Sequence, residues 1–223
     1  PYILPVYRKR FPNVHIELFE KGSDEVLALL LAGKIDFCIL TRPTYPSDIV
    51  YEYVFTEQLY LASPQTHAIM RYHQPDQQIS LLEDQNIPLL DQQPFILLPD
   101  NLSMGHLTRE FLRTYHVKPE EVFTTTNVQT AYRLTAQNMG FSFVSDLSLK
   151  NVQFEQEPGL FQLGENGLKR TMVAAYLQNS YIPFYERAFL QILKAFGKHL
   201  RQYPYTGVYG VNLDELEKLS ELT

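Results

Sequence analysis

Residues Phe11–Arg42 read FPNVHIELFEKGSDEVLALLLAGKIDFCILTR. Pro12 closes what precedes it, and Val14, Ile16 and Leu18 then alternate with polar neighbours, which predicts a half-buried strand over Val14 to Phe19. Glu20, Lys21, Gly22 and Ser23 make a polar helix start. Val26 and Leu30, with Leu27 and Leu31, follow at the i, i+4 spacing that gathers apolar side chains on one helix face. Gly33 is the stop, being free to turn left-handed. Asp36 to Leu40 then reads as a buried strand that closes on Thr41 and Arg42. Strand, helix and strand make one βαβ unit, and its helix begins at a small polar loop suited to a small molecule.

Before this unit, Tyr2 to Phe11 is predicted as a short helix carrying Ile3, Leu4, Val6 and Tyr7. After it come two strand pieces, Ile49 to Phe55 and Gln58 to Ala62, split by the polar pair Thr56 and Glu57. A glutamine-rich stretch from Ser63 to Gln78 changes the composition, and a short helix is expected around Ser80 to Asp84. The alternation then resumes with a strand Phe95 to Leu98, a loop Pro99 to Ser103 and a helix Met104 to Tyr115. A strand Glu121 to Thr125 leads into a helix bearing Val128, Ala131, Tyr132, Thr135 and Met139, stopped by Gly140. Thr126 followed by Gln129 has the spacing of a capping box. A strand Phe141 to Val144, a helical turn near Asp146 to Lys150, an irregular segment, a long strand Thr171 to Leu177 and a helix Pro183 to Leu200 complete the series.

Apolar strands flanked by amphipathic helices point to an α/β protein of two lobes, each a mainly parallel sheet with helices on its faces. Residues 1–63 with 172–203 are expected to form lobe I and residues 64–171 lobe II, joined by two crossover strands. The extension 204–223 carries Leu213, Leu216, Leu219 and Leu222 among acids, the pattern of an amphipathic helix.

The chain has 223 residues, 45% hydrophobic and 20% charged, with a net charge of −6. An acidic balance excludes nucleic-acid binding by this stretch alone, since phosphate recognition requires clustered Lys and Arg, and Arg8, Lys9 and Arg10 are too few. No apolar run reaches the roughly 20 residues of a membrane span, and Pro1 to Arg10 lacks the order of a secretory signal. The single cysteine, Cys38, lies in an apolar strand as a small hydrophobe, so no disulfide forms within the chain, and a cytoplasmic location is expected.

No serine elbow, P-loop, dinucleotide fingerprint or paired-histidine zinc helix occurs, and the six histidines lack metal spacing, so neither enzyme chemistry nor a metal or cofactor is expected. A binding constellation remains. In open α/β sheets, ligands sit beyond the carboxyl ends of the strands. Three polar helix starts fall there: Gly22 and Ser23; Asn101, Leu102 and Ser103; Thr125, Thr126 and Asn127. Their free N–H groups suit a carboxylate or another small anion, to which Arg42 adds a planar fork. Ser, Thr and Asn also begin helices purely as caps, so each start has a structural reading beside the functional one.

Arg10, Phe11, Pro12, the alternating strand, Glu20 to Ser23, the Leu-rich helix, and Gly33, Lys34, Ile35 and Asp36 before an apolar strand resemble the start of the effector-binding domain of LysR-type transcriptional regulators. Phe95 to Leu98 before a helix, and Asn127 to Gly140 before Phe141, resemble its second lobe. The resemblance covers roughly Pro1 to Leu200. It implies the type 2 periplasmic-binding-protein fold, with a small-molecule inducer or corepressor held between the lobes. It further implies that Gly22, Ser23, Asn101, Leu102, Ser103, Thr125, Thr126, Asn127 and Val128 are effector contacts; Thr41 and Arg42, at the end of the second strand, are expected beside them from their position. The same resemblance implies homodimers or homotetramers. DNA would be bound by a separate winged helix-turn-helix domain absent from these residues, and a strand would precede the first helix. The rival reading is an extracytoplasmic solute-binding protein of a transporter.

Overall fold

A computed structural model of the chain describes residues 3–41, 47–151 and 157–202. The chain divides into two compact units, one of residues 1–56 and 171–223, the other of residues 57–170.

In the first unit, α1 (Ile3–Arg10) buries Val6 and Tyr7 and stops before Pro12. The Tyr7 ring lies 4.9 Å from Phe11 and 5.1 Å from Phe189, and its hydroxyl donates to the Tyr185 carbonyl at 3.0 Å. Helix α2 (Ser23–Leu31) buries Val26 and Leu30 and ends where Gly33 adopts φ 63°. The N–H of Gly33 then bonds Leu30 O and that of Lys34 bonds Leu29 O, a Schellman closure that a side chain at Gly33 would strain. Strand β1 (Cys38–Thr41) pairs antiparallel with the distal part of β8 (Leu168–Leu177), and β8 neighbours the start of β2 (Ile49–Ser63). Val26, Leu30, Cys38, Leu40, Ile49, Val173 and Ala175 form the core. Burial pushes the Cys38 thiol up to about 11. The last helix, α5 (Phe184–Gln202), is tied to β2 where Glu52 accepts from Lys194 at 2.6 Å and from the Tyr176 hydroxyl at 2.7 Å.

The second unit is built on the end of β2. β6 (Ser142–Ser145) and β7 (Gly159–Leu163) pair antiparallel with it, and β3 (Ile79–Leu82) runs parallel to β7. A second sheet pairs β4 (Pro94–Leu97) with β5 (Glu120–Thr124) in parallel. Helix α3 (Ser103–Thr114) follows β4, and α4 (Val128–Ala136) follows β5. Phe95, Phe141 and Phe161 are fully buried, and the Phe95 ring stacks on Phe141 at 5.3 Å. Every residue of β5 is exposed, and its two glutamates keep this edge in water.

Several expectations change. Val14 to Phe19 forms no strand: Val14 and Ile16 are half-buried while Leu18 is 65% and Phe19 48% exposed. The alternation is present, but no other described segment pairs with it, and a strand requires a partner as well as a pattern. The expected helix at Ser80 to Asp84 is instead β3 followed by a 3-10 helix, Asp84–Leu90, because β7 offers a parallel partner to Ile79–Leu82. β7 lies in the segment read as irregular. The two strand pieces around Thr56 and Glu57 are one continuous strand, β2. The sheets expected to be mainly parallel are mixed, since β1 with β8 and β2 with β6 and β7 are antiparallel. The first crossing, expected near Ser63, lies in these units between Thr56 and Glu57, while the second lies between Arg170 and Thr171, near where it was expected; both are in mid-strand. The extension 204–223 and Arg42 lie outside the described residues.

Candidate functional site

In the first unit, Gly22 holds the capping position of α2 with φ −62° and ψ 155°, its carbonyl accepting from Val26 N–H. No side chain caps this helix, and Ser23 is half-buried at its first position. Asp24 and Glu25 fill the first turn, with Lys21 bridging to Glu25 at 3.0 Å. Two carboxylates there suit the helix dipole and oppose an incoming anion. Thr41, at the end of β1, points its hydroxyl at the Met172 sulfur at 3.7 Å.

In the second unit, the parallel pairing of β4 and β5 sets their carboxyl ends side by side. Both helix starts therefore open from one edge of one sheet, the position that α/β geometry favours for ligands. The Thr125 N–H bonds Leu97 O at 3.2 Å, which holds the two loops together.

At α4 the capping residue is Asn127, whose Oδ1 accepts from Gln129 N–H at 2.8 Å and Thr130 N–H at 3.2 Å. The Thr125 hydroxyl accepts from Asn127 N–H at 3.2 Å, while Thr126 is exposed and Val128 half-buried. The expected capping box from Thr126 to Gln129 is absent. One residue later, Asn127 reaches two amides by itself, and the Gln129 amide instead donates to Ser148 O at 2.6 Å.

At α3 the capping position belongs to Leu102, which has no side chain to offer. Its own N–H bonds Pro99 O at 3.0 Å, and Asn101 is an exposed turn residue. Gly105 lies so close to the Leu98 and Pro99 carbonyls that a Cβ would collide with backbone, pressing the first turn of α3 onto the end of β4. The Ser103 hydroxyl accepts from Arg170 Nη1 at 3.1 Å. Arg170 Nε donates to Glu57 Oε1 at 2.7 Å, and Nη2 donates to the same oxygen. The Glu57 residue is 3% exposed. A carboxylate so buried in a strand needs a partner, and Arg170 supplies it with a rigid fork.

Glu57 and Arg170 were not singled out from the sequence. One signal existed: Glu57 interrupts an otherwise apolar strand, and a buried acid implies a counter-charge. Nothing local identified that charge, 113 residues away. Among the described residues no group of three His, Cys, Asp or Glu could hold a metal, and no helix is long and apolar enough to cross a membrane.

A family model described as the LysR substrate binding domain matches residues 1–198. An uncharacterised HTH-type transcriptional regulator of Bacillus subtilis, YcgK, is 24% identical over 203 residues, covering 86% of this chain and 61% of its own length. The chain thus spans about three fifths of that relative. The regulatory domain of CcmR from Synechocystis PCC6803, solved in complex with 2-PG, superposes with a TM-score of 0.75 at 16% identity, covering 90% of this chain and 91% of that one. The effector-binding domain of QuiR, in complex with shikimate, gives 0.68 at 16% identity over 89% and 90%. These neighbours share the two-lobed periplasmic-binding-protein-like α/β fold. The family is one of regulatory ligand-binding domains rather than enzymes or transporter components. The chain belongs to the LysR substrate-binding-domain family.

Proposed function

We propose that this chain is the effector-sensing part of a cytoplasmic LysR-type regulator, and that its effector is a small anion. The observation that carries the reading is the pair of adjacent helix starts at the carboxyl edge of β4 and β5, one of which holds a fixed arginine beside Ser103. Asn101, Leu102, Ser103, Thr125, Thr126, Asn127 and Val128 are the contacts proposed there. Gly22, Ser23, Thr41 and Arg42 are those proposed in the first unit. The acidic turn after Ser23 supports hydrogen bonding rather than charge recognition at α2. The 2-PG and shikimate complexes of similar domains support a small-molecule ligand.

An effector that binds one arrangement of the domain better than another shifts the balance between them by that difference in affinity. In the parent protein this shift would pass, through a homodimer or homotetramer, to DNA-binding segments outside these residues. The test is a thermal-shift screen of the purified chain against small carboxylates and phosphorylated metabolites. A hit raises Tm with ligand concentration by mass action, and Ser23→Ala and Ser103→Ala reduce that rise. A panel with no hit removes the sensing role.

A further inference from the structure

We propose that the chain's own acidic segment 213–222 docks, as an amphipathic helix, on a basic and aromatic groove between the end of α1 and the start of α5. The groove has a volume of about 280 Å³ and is bounded by Arg10 of α1 and by Tyr181, Ile182, Phe184 and Arg187 around the start of α5. Tyr181 is 84% and Phe184 69% exposed, so two large rings face water in one groove. Exposed apolar surface with a polar rim marks a place where another element packs. The surface is also fixed in shape. The Phe184 ring meets Phe11 edge-on at 5.3 Å, and the Arg10 guanidinium lies 5.8 Å from the Phe11 ring. Arg187 turns Nη2 toward the Ile182 carbonyl at 3.4 Å.

Charge narrows the occupant. Arg10 and Arg187 are exposed, and from Phe184 and Arg187 the outward stripe of α5 continues through Gln191, Lys194 and Lys198, at the three- and four-residue spacing of one helix face. Glu52 already holds Lys194, but the stripe as a whole is basic. An acidic, apolar partner fits it, and the same chain carries one downstream. In 213–222, Asp214, Glu215, Glu217 and Glu221 outweigh Lys218. On a helix, Leu213, Leu216 and Leu219 cover an arc of about 120°, with Glu217 and Glu221 beside one edge of it and Glu215 beside the other. The leucines then meet Tyr181 and Phe184, the glutamates meet the arginines, and Lys218 faces away. Reach permits the contact. Gln202, where α5 ends, is about 27 Å along the helix from Phe184, and the link 203–212 spans up to about 33 Å. Pro204, Gly207 and Gly210 in that link suit a reversal of the chain. Tethering also gives the segment a local concentration on the order of millimolar, so weak contacts suffice where a separate acidic peptide would have to bind tightly.

The experiment uses the whole chain, isotopically labelled, with Lys218→Cys carrying a nitroxide; Cys38 is buried and stays unlabelled. The expected NMR result is loss of the amide signals of Arg10, Tyr181, Phe184 and Arg187, recovered when the nitroxide is reduced. Arg10→Glu with Arg187→Glu reverses the exposed rim, leaves Tm near wild type and abolishes that loss. Adding Glu215→Lys, Glu217→Lys and Glu221→Lys restores opposite charges and brings the loss back, which a merely structural role of the arginines would not do. A mixture of isotopically labelled chain without nitroxide and unlabelled chain with it separates the occupants. Signal loss in the mixture means that a second copy supplies the segment, and overturns the proposal. So does the absence of signal loss in the chain that carries both labels, and so does a loss that persists undiminished after both arginines are reversed.

Discussion

At the start of α4, Asn127 turns its side-chain oxygen back onto two amides of its own helix. At the start of α3, on the same sheet edge, Leu102 holds the corresponding position and caps nothing, while the neighbouring Ser103 is held by an arginine from a different strand. Both starts are polar stretches after a parallel strand. One uses its polarity to finish a helix; the other keeps a hydroxyl oriented by a long-range ion pair. Polar residues at a helix start are therefore a shared vocabulary for two jobs, and only the partner of each oxygen tells them apart.

The sharpest way to break this contrast is Arg170→Ala. It strands the Glu57 carboxylate in a buried site and is expected to cost about 3–5 kcal/mol in urea unfolding, whereas removing both charges together recovers most of that loss. Asn127→Ala comes next, at about 1 kcal/mol, the usual value of a lost cap. A third variant uses the other acid on β2. The Glu52 carboxyl is raised by burial, but hydrogen bonds from Lys194 and Tyr176 outweigh this and hold it below its ordinary value. A carboxyl with a depressed folded pKa stabilises above its unfolded pKa, and that contribution disappears as pH falls through the folded value. Glu52→Gln is thus expected to lose up to about 1 kcal/mol at neutral pH and little in acid, as befits a partly exposed pair. Ser103→Ala is smallest, within about 0.5 kcal/mol in stability, because it caps no helix. If Ser103→Ala and Asn127→Ala destabilised equally, the division of labour between the two starts would be lost.

The sequence made the amphipathic helices legible, since Val26 and Leu30 reach the core by spacing alone. The polar pair Thr56 and Glu57, where the units divide, was legible only as a break between two strand pieces, and the crossing was expected near Ser63. Pairing was harder. Val14–Phe19 has a strand's alternation without a described partner, and β3 could be told from a helix only through β7, some 80 residues on. The candidate site divided the same way. Ser103 and Asn127 stood out as local letters, but the fixed arginine behind Ser103 depends on two residues that only the folded strands bring together.

Cys38 has a use beyond its place in the core of the first unit. Burial pushes its thiol up to about 11, so little thiolate is present at neutral pH and alkylating and oxidising reagents find a poor nucleophile. It is the sole cysteine in these 223 residues. Its labelling rate is therefore a clock for opening of the core of the first unit around β1, free of signals from other thiols. An effector that stabilises the first unit would slow that clock, and one that acts only on the second would leave it running unchanged.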